Sequence, residues 1–215
     1  DYHDLIKPRL YQLLNEIRSI DSKIDGIACN DTSPIMEKDW AQKAGLGWIG
    51  KHTNLITQDY GSWVFLGEVL LDIELEYDQA FVEDLCGTCT ACLDACPTDA
   101  FPEPYVLDSS KCISYLTIEH RGDLSIKMEN KLSGWIYGCD ICQEVCPWNI
   151  KFSNNSQEKS FMPRANLEER TLTEWNQLSK EEFKTLFKDS AVKRTKYEGL
   201  KRNINLARKF LRESI

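Results

Sequence analysis

The chain has 215 residues, 42% of them hydrophobic and 10% aromatic, enough apolar material to bury a core, which excludes a generically disordered or collagen-like protein. Its formal charge of −8, from 26 basic and 34 acidic residues, excludes a surface that binds polyanions uniformly. Mean hydropathy is −0.43 and no apolar run approaches the roughly 18 residues of a membrane span, so a soluble, cytoplasmic protein without membrane association is expected.

In chain order, Leu5, Leu10, Leu13, Leu14 and Ile17 recur at helical spacing and predict an amphipathic helix over 2–20. Ile27-Ala28-Cys29 reads as a short strand. Asn30-Asp31-Thr32-Ser33-Pro34 then supplies cap residues before a helix over about 34–44. Gly45, Gly47 and Gly50 punctuate the following AGLGWIGK segment. Leu55-Ile56-Thr57 and Trp63 to Leu71 read as strands joined through Tyr60-Gly61-Ser62. Short helices are expected near 109–119 and 124–135, a polar linker over 151–163, and further helices over about 179–188 and 197–213. Charge divides with position: residues 151–215 carry 15 Lys/Arg against 9 Asp/Glu, whereas residues 1–150 carry 11 against 25. Only the basic tail suits a polyanion.

Eight of the nine cysteines fall between 86 and 146. Cys86, Cys89, Cys92 and Cys96-Pro97 make a CxxCxxCxxxCP run, the spacing of bacterial-type [4Fe-4S] proteins, in which one tight loop presents three thiolates to one cluster and the fourth ligates another. Cys139, Cys142 and Cys146-Pro147 repeat it with Ile136 at the first Cys position, and Cys112 is the nearby candidate to replace the missing ligand. The ferredoxin rule then places Cys86, Cys89, Cys92 and Cys146 on one cluster and Cys96, Cys112, Cys139 and Cys142 on the other. Two four-thiolate zinc sites are the competing interpretation. Cys29 remains as a buried core thiol.

Four segments together, DTSPIMEKDWAQKAGLGWIGKHTNLI at 31–56, CGTCTACLDACPTDA at 86–100, CISYLTIEHRG at 112–122 and GCDICQEVCPWN at 138–149, closely resemble the epoxyqueuosine reductase family. The resemblance implies an α/β (α+β) protein: the C-terminal part of a corrinoid-binding α/β domain at 1–80, a ferredoxin-like domain with two [4Fe-4S] clusters at 81–150, and a linker with a basic helical segment at 151–215. It implies a chain lacking the family's N-terminal part, and a monomeric oxidoreductase that reduces epoxyqueuosine to queuosine at the wobble position of tRNA, the last step of queuosine biosynthesis. Electrons from a flavodoxin or ferredoxin would pass through the clusters to cobalamin, bound base-off without a His ligand. A noncatalytic two-cluster electron carrier and a relative of corrinoid reductive dehalogenases are the alternatives.

The same resemblance assigns residues. Asp31 matches the proton donor, against a helix-cap role. Asp31, Leu55, Leu66, Ser114, Cys139 and Asp140 match the corrinoid surroundings, with strand core as the alternative for Leu55 and Leu66. His120 and Arg121 match a segment that contacts tRNA. Gly45, Gly47 and Gly50 are expected to let backbone approach the corrinoid, with a simple turn as the alternative. Lys193, Arg194, Lys196, Lys201, Arg202, Arg208 and Lys209 of the tail are candidates for phosphate contact, or a solvated helix face.

Overall fold

The computed structural model describes residues 1–163 and 167–213. In chain order its elements are α1 (His3–Ile20), β1 (Gly26–Cys29), α2 (Glu37–Lys43), β2 (Trp48–Ile49), β3 (Leu55–Ile56), β4 (Glu68–Leu71), α3 (Ala91–Asp94), α4 (Ile113–Ile118), α5 (Ile126–Glu129), α6 (Ile141–Glu144), α7 (Pro147–Phe152), α8 (Leu172–Gln177), α9 (Lys180–Leu186) and α10 (Lys196–Glu213), with 3-10 turns at Ser109–Lys111, Lys159–Phe161 and Ala191–Thr195. They form two units, 1–90 with 143–161 and 91–142 with 162–215. Each unit is thus interrupted in sequence.

In the first unit, mixed helix and sheet are present as expected, and both ladders are antiparallel. β1 pairs with β4, Gly26 opposite Leu71 and Cys29 opposite Glu68, and β2 pairs with β3. The strand expected over Trp63 to Leu71 is confined to Glu68–Leu71. One cause is Asn30, whose Nδ2 donates to Leu66 O at 2.5 Å and diverts that backbone from a ladder. Gly47 lies against β3: a Cβ there would stand 2.0 Å from Ile56 O. Gly50 faces the Ile56 side chain, and Gly45 adopts φ +77° just after α2. The AGLGWIGK glycines therefore serve the close approach of the chain to itself.

Residues 143–161 belong to this unit through Asn149, which is 2% exposed. Its Oδ1 accepts from Ser62 N at 2.6 Å, and its Nδ2 donates to Ser62 Oγ and Gln143 O, each at 2.8 Å. Gly61 makes room for it, since a Cβ would stand 2.1 Å from Asn149 Oδ1, and its φ of +67° is one that L side chains rarely adopt. The segment expected to be a linker is also packed here: Phe152 stacks on Trp148 at 5.2 Å, Phe161 lies 5.3 Å from Phe65, and Glu158 pairs with Arg9 at 2.6 Å.

The second unit is mostly helical. Leu178, Phe183, Phe187, Leu200 and Ile204 form one apolar cluster, with Ile136 and Trp175 packed on it. Ile113, Leu116, Leu124 and Leu132 form another, joined by Cys139 and Leu206. The i, i+4 pair Leu200 and Ile204 puts one face of α10 inward, and full burial of each contributes about 1.5–3 kcal/mol. α8 was not expected. Its signal is the capping box Thr171-x-x-Glu174, present in the sequence and formed in the structure. The helix expected over 124–135 is confined to Ile126–Glu129.

Candidate functional site

The first unit carries Cys86, Cys89 and Cys146. Cys146 is buried with Trp48 and Ile56, and Cys86 packs on the same cluster. Trp48 Nε1 donates to Cys86 Sγ at 3.4 Å. Lys51, only 8% exposed, donates through Nζ to Gly87 O at 2.6 Å and Cys89 O at 2.9 Å. A buried ammonium thus fixes the loop that presents two thiols. No motif singles out Lys51 and Trp48; their signal is the Trp48-Ile-Gly-Lys51 run that begins in β2.

The second unit carries Cys92, Cys96, Cys112, Cys139 and Cys142. Burial first, and then the negative charge of neighbours that include Cys112 and Cys96, push Cys139 up to about 11 and Cys142 up to about 12. Cys112, far from the second run in sequence, is therefore an electrostatic neighbour of Cys139 and Cys142. All nine cysteines are free thiols. Buried thiols whose ionised forms repel one another are the donor set that a cationic iron core relieves, with release of their protons. Among the described residues no three His, Cys, Asp or Glu side chains stand close enough to hold one metal ion. Thiolates are the donors that a [4Fe-4S] cluster takes, and in that chemical sense the cysteines fit it.

Asp31 sits on the loop between β1 and α2 at φ +50°, a left-handed conformation that Asp and Asn tolerate best. It is not the cap of α2, whose N-cap is Met36. Its Oδ2 accepts from Tyr2 Oη at 2.7 Å and lies 3.4 Å from His3 Nε2, while His3 Nδ1 stands 2.8 Å from Asp1 Oδ1. Tyr2 in turn stacks on Phe65, ring centroids 4.7 Å apart. Phe65 lines a cavity of about 380 Å³ together with Leu55, Leu66, Ser62, Lys38 and Asn54. Leu55 and Leu66 thus line one cavity.

Its volume is at the low end for drug-sized ligands, about 300–1,000 Å³. Asn30 Oδ1 and His52 Nε2 in the same unit are buried without a hydrogen-bond partner. Those atoms complement an amide-rich ligand such as cobalamin, and in that chemical sense the residues fit it. His52 is 3% exposed, and burial pushes it down to about 4. Ser114, Cys139 and Asp140 belong to the second unit, where Ser114 Oγ donates to Cys139 O at 3.2 Å.

The tail is exposed at Lys193, Lys196 and Lys209 and in part turned inward. Arg202 donates to Leu116 O and Gly122 O, each at 2.6 Å. Lys201 donates to Asn176 O, and Arg194 pairs with Glu119. These three cations are engaged inside the second unit, and of them Arg202 meets a carbonyl of the last turn of α4, where positive charge is favoured. Arg121 donates to Ile118 O and Arg194 O, each at 2.9 Å, and His120 Nε2 meets Asp123 O at 3.1 Å. A second cavity, about 480 Å³, has Trp135, Trp175, Phe187 and Leu200 among its walls and holds no candidate ligand or acid.

The profile described as "4Fe-4S double cluster binding domain" matches residues 85–149. The chain is 50% identical over 205 residues to the epoxyqueuosine reductase of Cellulophaga algicola, covering 95% of this chain and 66% of that one. It is 44% identical to the epoxyqueuosine reductase of Synechocystis sp., covering 94% of this chain and 70% of the relative. A crystal structure of epoxyqueuosine reductase with an epoxyqueuosine-modified tRNA-Tyr stem loop superposes with a TM-score of 0.90 at 33% identity, covering 100% of this chain and 56% of that one. The chain thus spans about two thirds of its curated relatives, 66% of the first. With iron-sulfur spacing, free thiols and two independent relatives in agreement, the chain belongs to the epoxyqueuosine reductase family.

Proposed function

We propose that the protein to which this chain belongs reduces epoxyqueuosine to queuosine at the wobble position of tRNA, the last step of queuosine biosynthesis. The reaction takes two electrons and two protons, breaks both C–O bonds of the oxirane, releases its oxygen as water and leaves a carbon–carbon double bond. The observation that carries this reading is the double cysteine run, seven free thiols that Cys112 brings to eight, in a chain 50% identical to a named epoxyqueuosine reductase.

By ferredoxin spacing, Cys86, Cys89, Cys92 and Cys146 hold one [4Fe-4S] cluster and Cys96, Cys112, Cys139 and Cys142 the other. Lys51 and Trp48 position the first Cys loop. Asp31, Leu55, Leu66, Ser114, Cys139 and Asp140 would hold cobalamin, which would supply the reducing chemistry that side chains lack. Leu55, Leu66 and Phe65 form an apolar wall against water. Asp31 donates the proton to the departing oxygen, and Tyr2 and His3 aim its Oδ2. A low-potential flavodoxin or ferredoxin delivers the electrons, and the enzyme acts as a cytoplasmic monomer.

His120 and Arg121 contact the tRNA. A guanidinium has five N–H donors, so the two carbonyls that Arg121 meets leave capacity for phosphate. Mass spectrometry of tRNA nucleosides from the source organism, with and without the gene, tests the proposal. Loss of queuosine with accumulation of its epoxide is expected; unchanged queuosine, in an organism that makes it through the epoxide, overturns it.

A further inference from the structure

At Ile136 the second cysteine run lacks its first thiol. The Ile136 side chain packs into the apolar cluster of Leu178, Phe183 and Leu200, and its carbonyl oxygen accepts from Asn203 Nδ2 at 2.8 Å. The same Nδ2 donates to Thr117 O, also at 2.8 Å. One carboxamide on α10 therefore bridges the vacant ligand position and α4, the helix that Cys112 caps.

Further bonds tighten this frame on the ligand side. Gly138 N donates to Thr117 Oγ1 at 3.0 Å, and Ser114 Oγ donates to Cys139 O at 3.2 Å. On the far side, Thr195 Oγ1 donates to Thr117 O at 2.8 Å. Arg202 orients the amide by donating to Asn203 Oδ1 through Nε at 3.1 Å and Nη2 at 2.9 Å. Asn203 and Thr117 are wholly buried and Thr195 is 1% exposed. Polar groups so deep are costly unless satisfied, and a satisfied buried network specifies one geometry.

We propose that Asn203 is a positioning residue for the second iron-sulfur cluster. It substitutes for the missing cysteine as the anchor of the 136–139 segment and holds that segment in register with Cys112, the ligand recruited from elsewhere. A metal site whose ligands come from separate segments depends on outer-shell hydrogen bonds to set their distances. This inference rests on the assignment of Cys96, Cys112, Cys139 and Cys142 to one cluster.

The test uses the full-length protein to which this chain belongs, reconstituted anaerobically, with iron and sulfide analysis, EPR of the reduced clusters and redox titration. Wild type is expected to hold about eight irons, two four-iron clusters; fewer overturns the cluster assignment itself, and the proposal with it. Asn203→Leu, of similar volume without donors, is expected to lower iron toward about four and remove one EPR signal while the other keeps its g-values. Thr117→Val, which deletes only the hydroxyl, is expected to shift the potential of the same cluster. Asn203→Gln, with both donors on a longer arm, is expected to restore part of the lost signal. Unchanged iron, spectra and potentials in both Asn203→Leu and Thr117→Val would overturn the proposal. So would loss of both clusters in proportion to lost helical circular dichroism.

Discussion

Replacing Lys51 by Met keeps most of the aliphatic volume and removes the charge that holds the Cys86–Cys89 loop. Two carbonyl oxygens, of Gly87 and Cys89, lose their donor. A stranded buried acceptor costs about 1–3 kcal/mol, so the pair costs about 2–6 kcal/mol. Gly87 is exposed and Cys89 partly so; water replaces part of the loss, and about 2 kcal/mol of destabilisation is expected. The charge also acts on the cluster. Two unit charges at an effective dielectric of about 20 interact by about 4 kcal/mol at 4 Å and by half that at twice the distance. Because Lys51 meets the loop carbonyls and not the thiols, the smaller figure applies. For a one-electron couple about 2 kcal/mol is about 85 mV. The first cluster's potential should therefore fall by tens of millivolts in Lys51→Met, since the reduced, more negative state loses its cation. Redox titration followed by EPR, with a denaturant melt on the same samples, measures both effects. An unchanged potential together with an unchanged melt would refute the role given to Lys51.

Other outcomes follow from the same structure. Asp31→Asn is expected to retain both clusters and the fold, because Asn tolerates the left-handed backbone at φ +50°, and to lose most turnover; full turnover on modified tRNA would remove Asp31 as the proton donor. His52 has its folded-state pKa depressed from 6.5 to about 4, so below pH 6.5 the unfolded chain binds the extra proton and stability falls as pH falls toward 4, by about 3 kcal/mol in all. Glu68 opposes this. Burial and then Glu37 raise it from 4.5 to about 6, so its contribution is lost as pH rises through that window, and its partial exposure makes it the smaller of the two. Urea melts across pH 4–7 should show a positive net slope that His52→Gln flattens. Ile204→Ala, at a position with no solvent exposure, should destabilise the second unit by about 2–5 kcal/mol, read as a lower denaturation midpoint. Cys29→Ala should leave the iron content unchanged, since Cys29 is 6% exposed on β1 beside Val69 and Glu68.

Much of the chemistry was legible because it resides in spacing. Two CxxC-based runs with their CP endings need no tertiary information, and the resemblance at 31–56 pointed to Asp31. Local periodicity placed α1 and α10 for the same reason: their apolar residues recur with the helical turn. What local pattern missed was set by residues distant in the chain. Asn30 takes the carbonyl of Leu66 and ends the strand expected from Trp63. Asn149 draws the expected linker into the first unit through Ser62.

By itself the sequence determined the ligand types, the two-cluster chemistry, the family and the amphipathic helices, because these depend on residue identity at fixed intervals. Tertiary structure alone decided that Lys51 grips the Cys loop, that Tyr2 and His3 meet Asp31, and that Arg202 and Asn203 face inward although they lie in a basic tail. A cation's partner depends on which carbonyls the fold leaves in want of a donor. Around α4 those carbonyls belong to residues more than 80 positions away from the side chains that satisfy them.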